Sequence, residues 1–224
     1  MSIITRKLIA KELYVNRWFI GGGSLAAALS VSIAGLDLGQ AAFNVGALTW
    51  LTTVIAFGVM LGIYGVVNER KEQSLQFVLS LPISIADYVR TKLFGLLLAF
   101  LVMWVVATVS AVTMVLLAPK VPDGLLPYVL LLCFFMLANF CVVLCGALHA
   151  RSEALVTATI IVTNMGVSVF MFTVGPLPGL SDHMFGAVPV WNDTFFNVLL
   201  AEFIVLVIAL ALPLATAARR RDFL

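Results

Sequence analysis

Residues 68–92 read NERKEQSLQFVLSLPISIADYVRTK. Charged residues crowd both ends of this stretch, and between them lies LQFVLSLPI, an apolar run of about nine residues that is too short to cross a bilayer. Charge, a short apolar run and charge again predict a helix lying on a membrane surface. Pro82 disfavours helical geometry in the residue before it. Ser84 and Asp87 then make a Ser-x-x-Asp capping box that starts a new helix.

The sequence on either side is membrane-like. Of 224 residues, 62% are hydrophobic and 11% are charged, where a soluble domain carries about 25% charged residues. Apolar runs near the twenty residues needed to cross about 30 Å of hydrocarbon fall at 18–36, 46–67, 93–118, 127–148, 154–175 and 195–217. The expected fold is therefore an all-α integral membrane protein, a single transmembrane domain over residues 1–224 with six helical spans. No soluble domain is expected.

Basic residues orient the spans. Arg6, Lys7, Lys11 and Arg17 precede the first, Arg70, Lys71, Arg90 and Lys92 separate the second from the third, Arg151 follows the fourth, and Arg219, Arg220 and Arg221 follow the sixth. Of the 13 basic residues, only Lys120 falls on the opposite side, with Asp37, Asp123, Asp182 and Asp193. The positive-inside rule then predicts both termini and the 68–92 loop in the cytoplasm. The formal charge of +2 is a topology signal and gives no reason to expect nucleic acid as a partner.

Residues 1–17 mix Ile4, Leu8, Leu13 and Val15 with charges, which predicts an interfacial helix on the cytoplasmic surface. The first apolar run exceeds the 7–15 residues of a signal-peptide core, so it is read as an uncleaved span. Gly21, Gly22 and Gly23 mark either a bend or close packing, since glycine costs a helix about 1 kcal/mol relative to alanine. Trp50 suits an interfacial aromatic belt. Gly58 and Gly62 form a GxxxG pair that admits a second helix.

Cys133, Cys141 and Cys145 lie within the fourth span and imply no disulfide framework. Cys141, Cys145 and His149 share a helical face, but buried cysteine behaves as a small hydrophobe, and no metal site is expected. Residues 176–194 are too short for two crossings yet apolar, which predicts a re-entrant or interfacial segment on the outer side. Glu202 is the one acidic residue well inside a span. Such a carboxyl is costly and is read either as a substrate or proton contact or as a pin to Asn164 or Asn139.

The stretch from Glu69, ERKEQSLQFVLSLPIS, with Tyr88 and Lys92 beyond it, resembles the type-2 ABC exporter permeases. Glu69, Arg70, Glu72, Leu75, Leu79, Leu81, Pro82, Ile83, Ser84 and Lys92 match that family's loop between spans two and three, whereas Ser74 and Leu75 stand where many relatives have glycine and threonine. The resemblance implies a permease that pairs with a second copy of itself or a close relative, and with two copies of a separate ABC ATPase. ATP and Mg would sit on that ATPase. The chain itself would be no enzyme and bind no cofactor, consistent with its lack of a GxxxxGK[ST] phosphate loop.

The resemblance further implies that 68–81 is a coupling helix. Glu69, Arg70, Lys71, Glu72, Gln73, Ser74 and Leu75 would meet the ATPase, with a smaller contact at Arg151, Ser152 and Glu153. Gly21, Gly22, Gly23 and Pro82 would serve as flexing points. Thr52, Thr53, Asn164, Ser168 and Glu202 are the candidates to line the substrate path. The implied location is the plasma (inner) membrane of a bacterium or archaeon, with lipid around the spans. The alternative is a six-span substrate-binding membrane subunit of a vitamin importer, a reading that gives the charged loop no role. An intramembrane enzyme is disfavoured because the chain has no HExxH or GxSG motif and no histidine inside a span.

Overall fold

Six long runs of apolar residues become six long helices. The computed structural model describes residues 3–35, 40–68, 84–118, 121–150 and 152–217. The helices are α1 (Ile3–Gly35), α2 (Gln40–Gly62), α3 (Ile85–Leu117), α4 (Leu126–His149), α5 (Glu153–Val174) and α6 (Asp193–Ala217). A π-helical turn, Ile63–Val67, extends α2, and a 3₁₀ turn, Asp123–Leu125, leads into α4. Among the described residues there is no strand. All six helices are long and apolar enough to cross a membrane, as a multi-pass membrane protein requires.

α3 and α4 form the middle of the bundle. α1 and α2 pack on α3, and α5 and α6 pack on α4. The core between them is aromatic and aliphatic: Phe100 of α3 stacks on Phe140 of α4 at 4.0 Å between ring centroids, and Phe57 of α2 stacks on Phe100 at 6.1 Å. Small residues set these distances. A Cβ on Gly58 would lie 3.2 Å from Phe140 and one on Gly62 would lie 3.3 Å from Val143, so the GxxxG face of α2 receives α4 of the same chain. At Gly46 a Cβ would come within 2.5 Å of the Ser30 carbonyl oxygen, which fixes the crossing of α2 over α1.

Several boundaries follow from local chemistry. Ser84 caps α3 by accepting from the Asp87 backbone N–H at 3.1 Å, while its hydroxyl donates to the Asp87 carboxylate at 2.7 Å. Ser152 caps α5 by accepting from the Leu155 N–H at 3.4 Å. Asn192 caps α6, accepting from the Phe195 N–H at 3.0 Å and donating to the Gly179 carbonyl at 2.6 Å. Gly179 has φ +89°, a left-handed turn that glycine accommodates without strain.

The segment between α5 and α6 is built of turns. Leu180 is buried against Leu131, Phe170 and Phe195, and the Gly124 N–H donates to the Gly186 carbonyl at 2.9 Å, so this segment closes over the start of α4.

Residues 3–17 and the first expected span are one unbroken helix of 33 residues, about 50 Å long. The helix runs straight through Gly21–Gly23. Of these three, only Gly23 touches another helix, at Phe57 and Met103. Trp50 corrects the belt reading: it is buried, and its indole N–H donates to the Ala107 carbonyl of α3 at 3.2 Å. A tryptophan that buries its ring and satisfies its N–H gains more from the helix interface than from the lipid boundary.

Candidate functional site

The side chains that hollow out the bundle surface are small. Gly22 and Ala26 on α1 face Thr49, Thr52, Thr53 and Ala56 on α2, leaving a groove of about 540 Å³ floored by Gly23 and Phe57. A Cβ on Gly22 would meet nothing within 4 Å, so this face of α1 is open. The volume lies in the range that holds a small molecule, about 300–1,000 Å³. Trp18 and Phe19 form one wall, and Phe19 stacks on Tyr64 at 5.9 Å. The Arg17 guanidinium sits 4.0 Å over the Tyr14 ring and 5.4 Å from that of Trp18, a cation–π pair at the groove end.

The threonines carry the groove's polarity without strong demands on a ligand. Thr49, Thr52 and Thr53 each donate to the carbonyl one turn back, at 2.7, 2.8 and 2.7 Å. Their donors are occupied, and their oxygens still accept. The groove therefore suits an apolar body with a donor or two. A second furrow of about 450 Å³ lies between α1 and α3, lined by Ser32, Ser110 and Thr113 among apolar residues.

Behind the groove, α1 is tied to α3 by a buried ion pair. Lys92 Nζ donates to Glu12 Oε1 at 2.8 Å, and the two side chains are 5% and 7% exposed. Gly95 makes room for it: a Cβ there would lie 2.9 Å from Glu12 Cγ. Asn16, also buried, donates to the Glu12 carbonyl at 2.8 Å, and Thr91 donates to the Asp87 carbonyl at 2.7 Å. Lys92 lies two turns into α3, whose first turn is the Ser84 cap at the end of the charged loop. A continuous path of packed and bonded groups thus runs from the end of that loop through Lys92 and Glu12 to the helix that forms one wall of the groove.

The expected site residues separate into distinct places. Thr52 and Thr53 line the groove. Asn164, with Asn139, borders a void of about 10 Å³ between α2, α4 and α5, room for about one water molecule. Ser168 is exposed on α5. Glu202 is buried on α6, and among the described residues neither of its carboxylate oxygens has a hydrogen-bond partner, so no hydrogen bond pins α6 to Asn164 or Asn139.

Gly21 and Gly22 face open space, Ser152 is the α5 cap, and Glu153 is exposed in the first turn of α5. Glu69, Arg70, Lys71, Glu72, Gln73, Ser74, Leu75, Pro82 and Arg151, with the rest of the expected coupling helix, lie outside the described residues. His149 is engaged at both nitrogens, Nδ1 against the Cys145 carbonyl at 2.9 Å and Nε2 against Thr216 Oγ1 at 2.8 Å, which ties the end of α4 to α6.

Two features escaped sequence reading. Glu12 was one charge among several in an amphipathic segment, and its partner lies 80 residues away. Thr108 carries no distinguishing signal in the sequence, yet among the described residues its hydroxyl is buried without a hydrogen-bond partner. No family model, curated protein or solved structure matches the chain.

Proposed function

We propose that this chain is the permease subunit of an ATP-driven ABC exporter, working as a dimer with two copies of a separate ATPase. Both termini and the 68–92 loop are cytoplasmic in this reading, as the distribution of basic residues favours. The observation that carries it is the Glu12–Lys92 brace, which joins the helix emerging from the charged loop to the helix that walls the groove. A push on residues 68–81 by the closing ATPase would enter α3 at the Ser84 cap. Lys92 and Glu12 would pass it to α1 as a rigid-body displacement, which would alter the groove against α2. A buried pair at 2.8 Å suits that task because separating it strands two charges away from water.

The exposed apolar faces of α1 and α5, including Leu25, Leu29, Val162 and Phe172, are where lipid or the second permease copy would lie. The groove's apolar walls and accepting threonines favour lipophilic or amphipathic cargo over small ions.

Purification of the full chain from its native membrane tests this reading. One kind of ATPase carrying a phosphate loop is expected in equal amount, with hydrolysis that persists but no longer drives transport in Glu69→Lys/Glu72→Lys. A chain that purifies without any nucleotide-binding subunit, or transport unchanged in that double variant, would contradict it.

A further inference from the structure

Three helices bring polar atoms together at one depth, away from the groove. Glu202 lies nine residues from the Asp193 end of α6, Thr108 nine residues from the Leu117 end of α3, and Cys133 seven residues from the Leu126 end of α4. At 1.5 Å per residue all three sit about 10–14 Å inside the same end of the bundle. That end is common to the three helices because a short connection joins α3 to α4 and the Leu131–Leu180–Phe195 cluster joins α4 to α6.

The thiol of Cys133 lies beside Thr108 and within electrostatic reach of Glu202. Glu202 is 6% exposed, and both of its oxygens lack a hydrogen-bond partner. Among the described residues Thr108 Oγ1 is likewise buried without a hydrogen-bond partner of good geometry, whereas Thr52, Thr53, Thr113 and Thr163 donate to the carbonyl one turn back.

A bare carboxylate in such a place would cost several kcal/mol or more. Cations elsewhere relieve that cost, as Lys92 does for Glu12. Among the described residues none acts on Glu202, and the one titratable group set against it is the Cys133 thiol. Lys92 and Arg90 are on α3 but at least 16 residues from Thr108, about 24 Å along the helix. Among the described residues this leaves a proton as the means of neutralising Glu202.

We propose that Glu202, with Cys133 and Thr108 at the same depth on the neighbouring helices, is a proton-binding site inside the membrane, separate from the α1–α2 groove and occupied by one proton at neutral pH. The protonated carboxyl is both donor and acceptor. Thr108, at the same depth on α3, offers a hydroxyl oxygen that the described residues leave without a hydrogen-bond partner. Loss of the proton places a charge between α6 and the α3–α4 pair that only water can satisfy, so deprotonation favours parting of α6 from its neighbours. This proposal does not depend on the exporter reading.

Infrared difference spectroscopy of the full chain in lipid bilayers tests it. At neutral pH the wild type should show a carboxylic-acid C=O band resolved from the amide I band. That band should shift on ¹³C-glutamate labelling, disappear in Glu202→Gln and change frequency in Thr108→Val. The labelling measurement needs no variant to fold. Absence of any glutamate-derived acid band at neutral pH, or a band that survives in Glu202→Gln, would overturn the site. A band unmoved in Thr108→Val would remove Thr108 from it.

Discussion

Glu12 and Glu202 are both buried glutamates on long apolar helices, 7% exposed at the side chain and 6% exposed overall, and they solve the same problem in opposite ways. Glu12 meets Lys92 at 2.8 Å, with Gly95 providing the space and Asn16 holding the adjacent backbone. Among the described residues Glu202 meets no donor. The first is a charge kept by pairing, the second a charge given up to a proton. The difference teaches that burial alone does not assign a role to an intramembrane carboxyl. What faces it decides whether it is a brace or a site that can load and unload.

One substitution made at both positions separates them. Glu12→Gln should be the most damaging change, because it leaves the Lys92 ammonium buried without its carboxylate, and removal of one partner of a buried pair costs about 3–5 kcal/mol. Reversible unfolding in bicelles would measure it, and a loss below about 1 kcal/mol would mean that the pair is hydrated and weak.

Gly95→Ala is expected to cost less, about 1–3 kcal/mol, since the added methyl presses on the Glu12 side chain and overpacks the α1–α3 contact. Suppression of that loss by Glu12→Ala would sharpen the assignment.

Glu202→Gln should change stability by no more than about 1 kcal/mol, in the range of an isosteric change that removes no charge pair. A loss as large as that at Glu12 would show that Glu202 is ionised and paired, which would break the contrast. Thr52→Val and Thr53→Val should leave stability within about 0.5 kcal/mol, as exposed or half-exposed changes do, while weakening binding of cargo in the groove. Unchanged cargo binding would place the path elsewhere.

The bundle was legible in the sequence because membrane helices announce themselves through long apolar runs, and the ends of α4, α5 and α6 fall within two residues of the runs first read. The Ser84 cap was legible because it is local. Trp50 was not, since an indole in a belt and an indole donating to the Ala107 carbonyl look alike in one dimension. The unbroken course of α1 was hidden for a related reason. Three glycines are compatible with either a bend or close packing, and the helix continues through them with only Gly23 packed against other helices.

Glu202 stood out as a lone acid, yet Cys133, within its electrostatic reach, comes from α4 and could not be named from its own helix. Thr52 and Thr53 line the α1–α2 groove, while Asn164 borders a small void, Ser168 is exposed on α5 and Glu202 is buried on α6, because a residue type that suits a path does not say which way its helix turns.

α1 and the first turns of α3 are expected to move as one body because the Glu12–Lys92 pair joins them. Spin labels at Tyr14→Cys on α1 and Arg90→Cys on α3, both exposed positions, would test it by pulsed electron–electron resonance in bilayers. A single narrow distance distribution is predicted, which broadens or splits when Lys92→Met is added. A distribution that is already broad, or one that Lys92→Met leaves unchanged, would contradict the account.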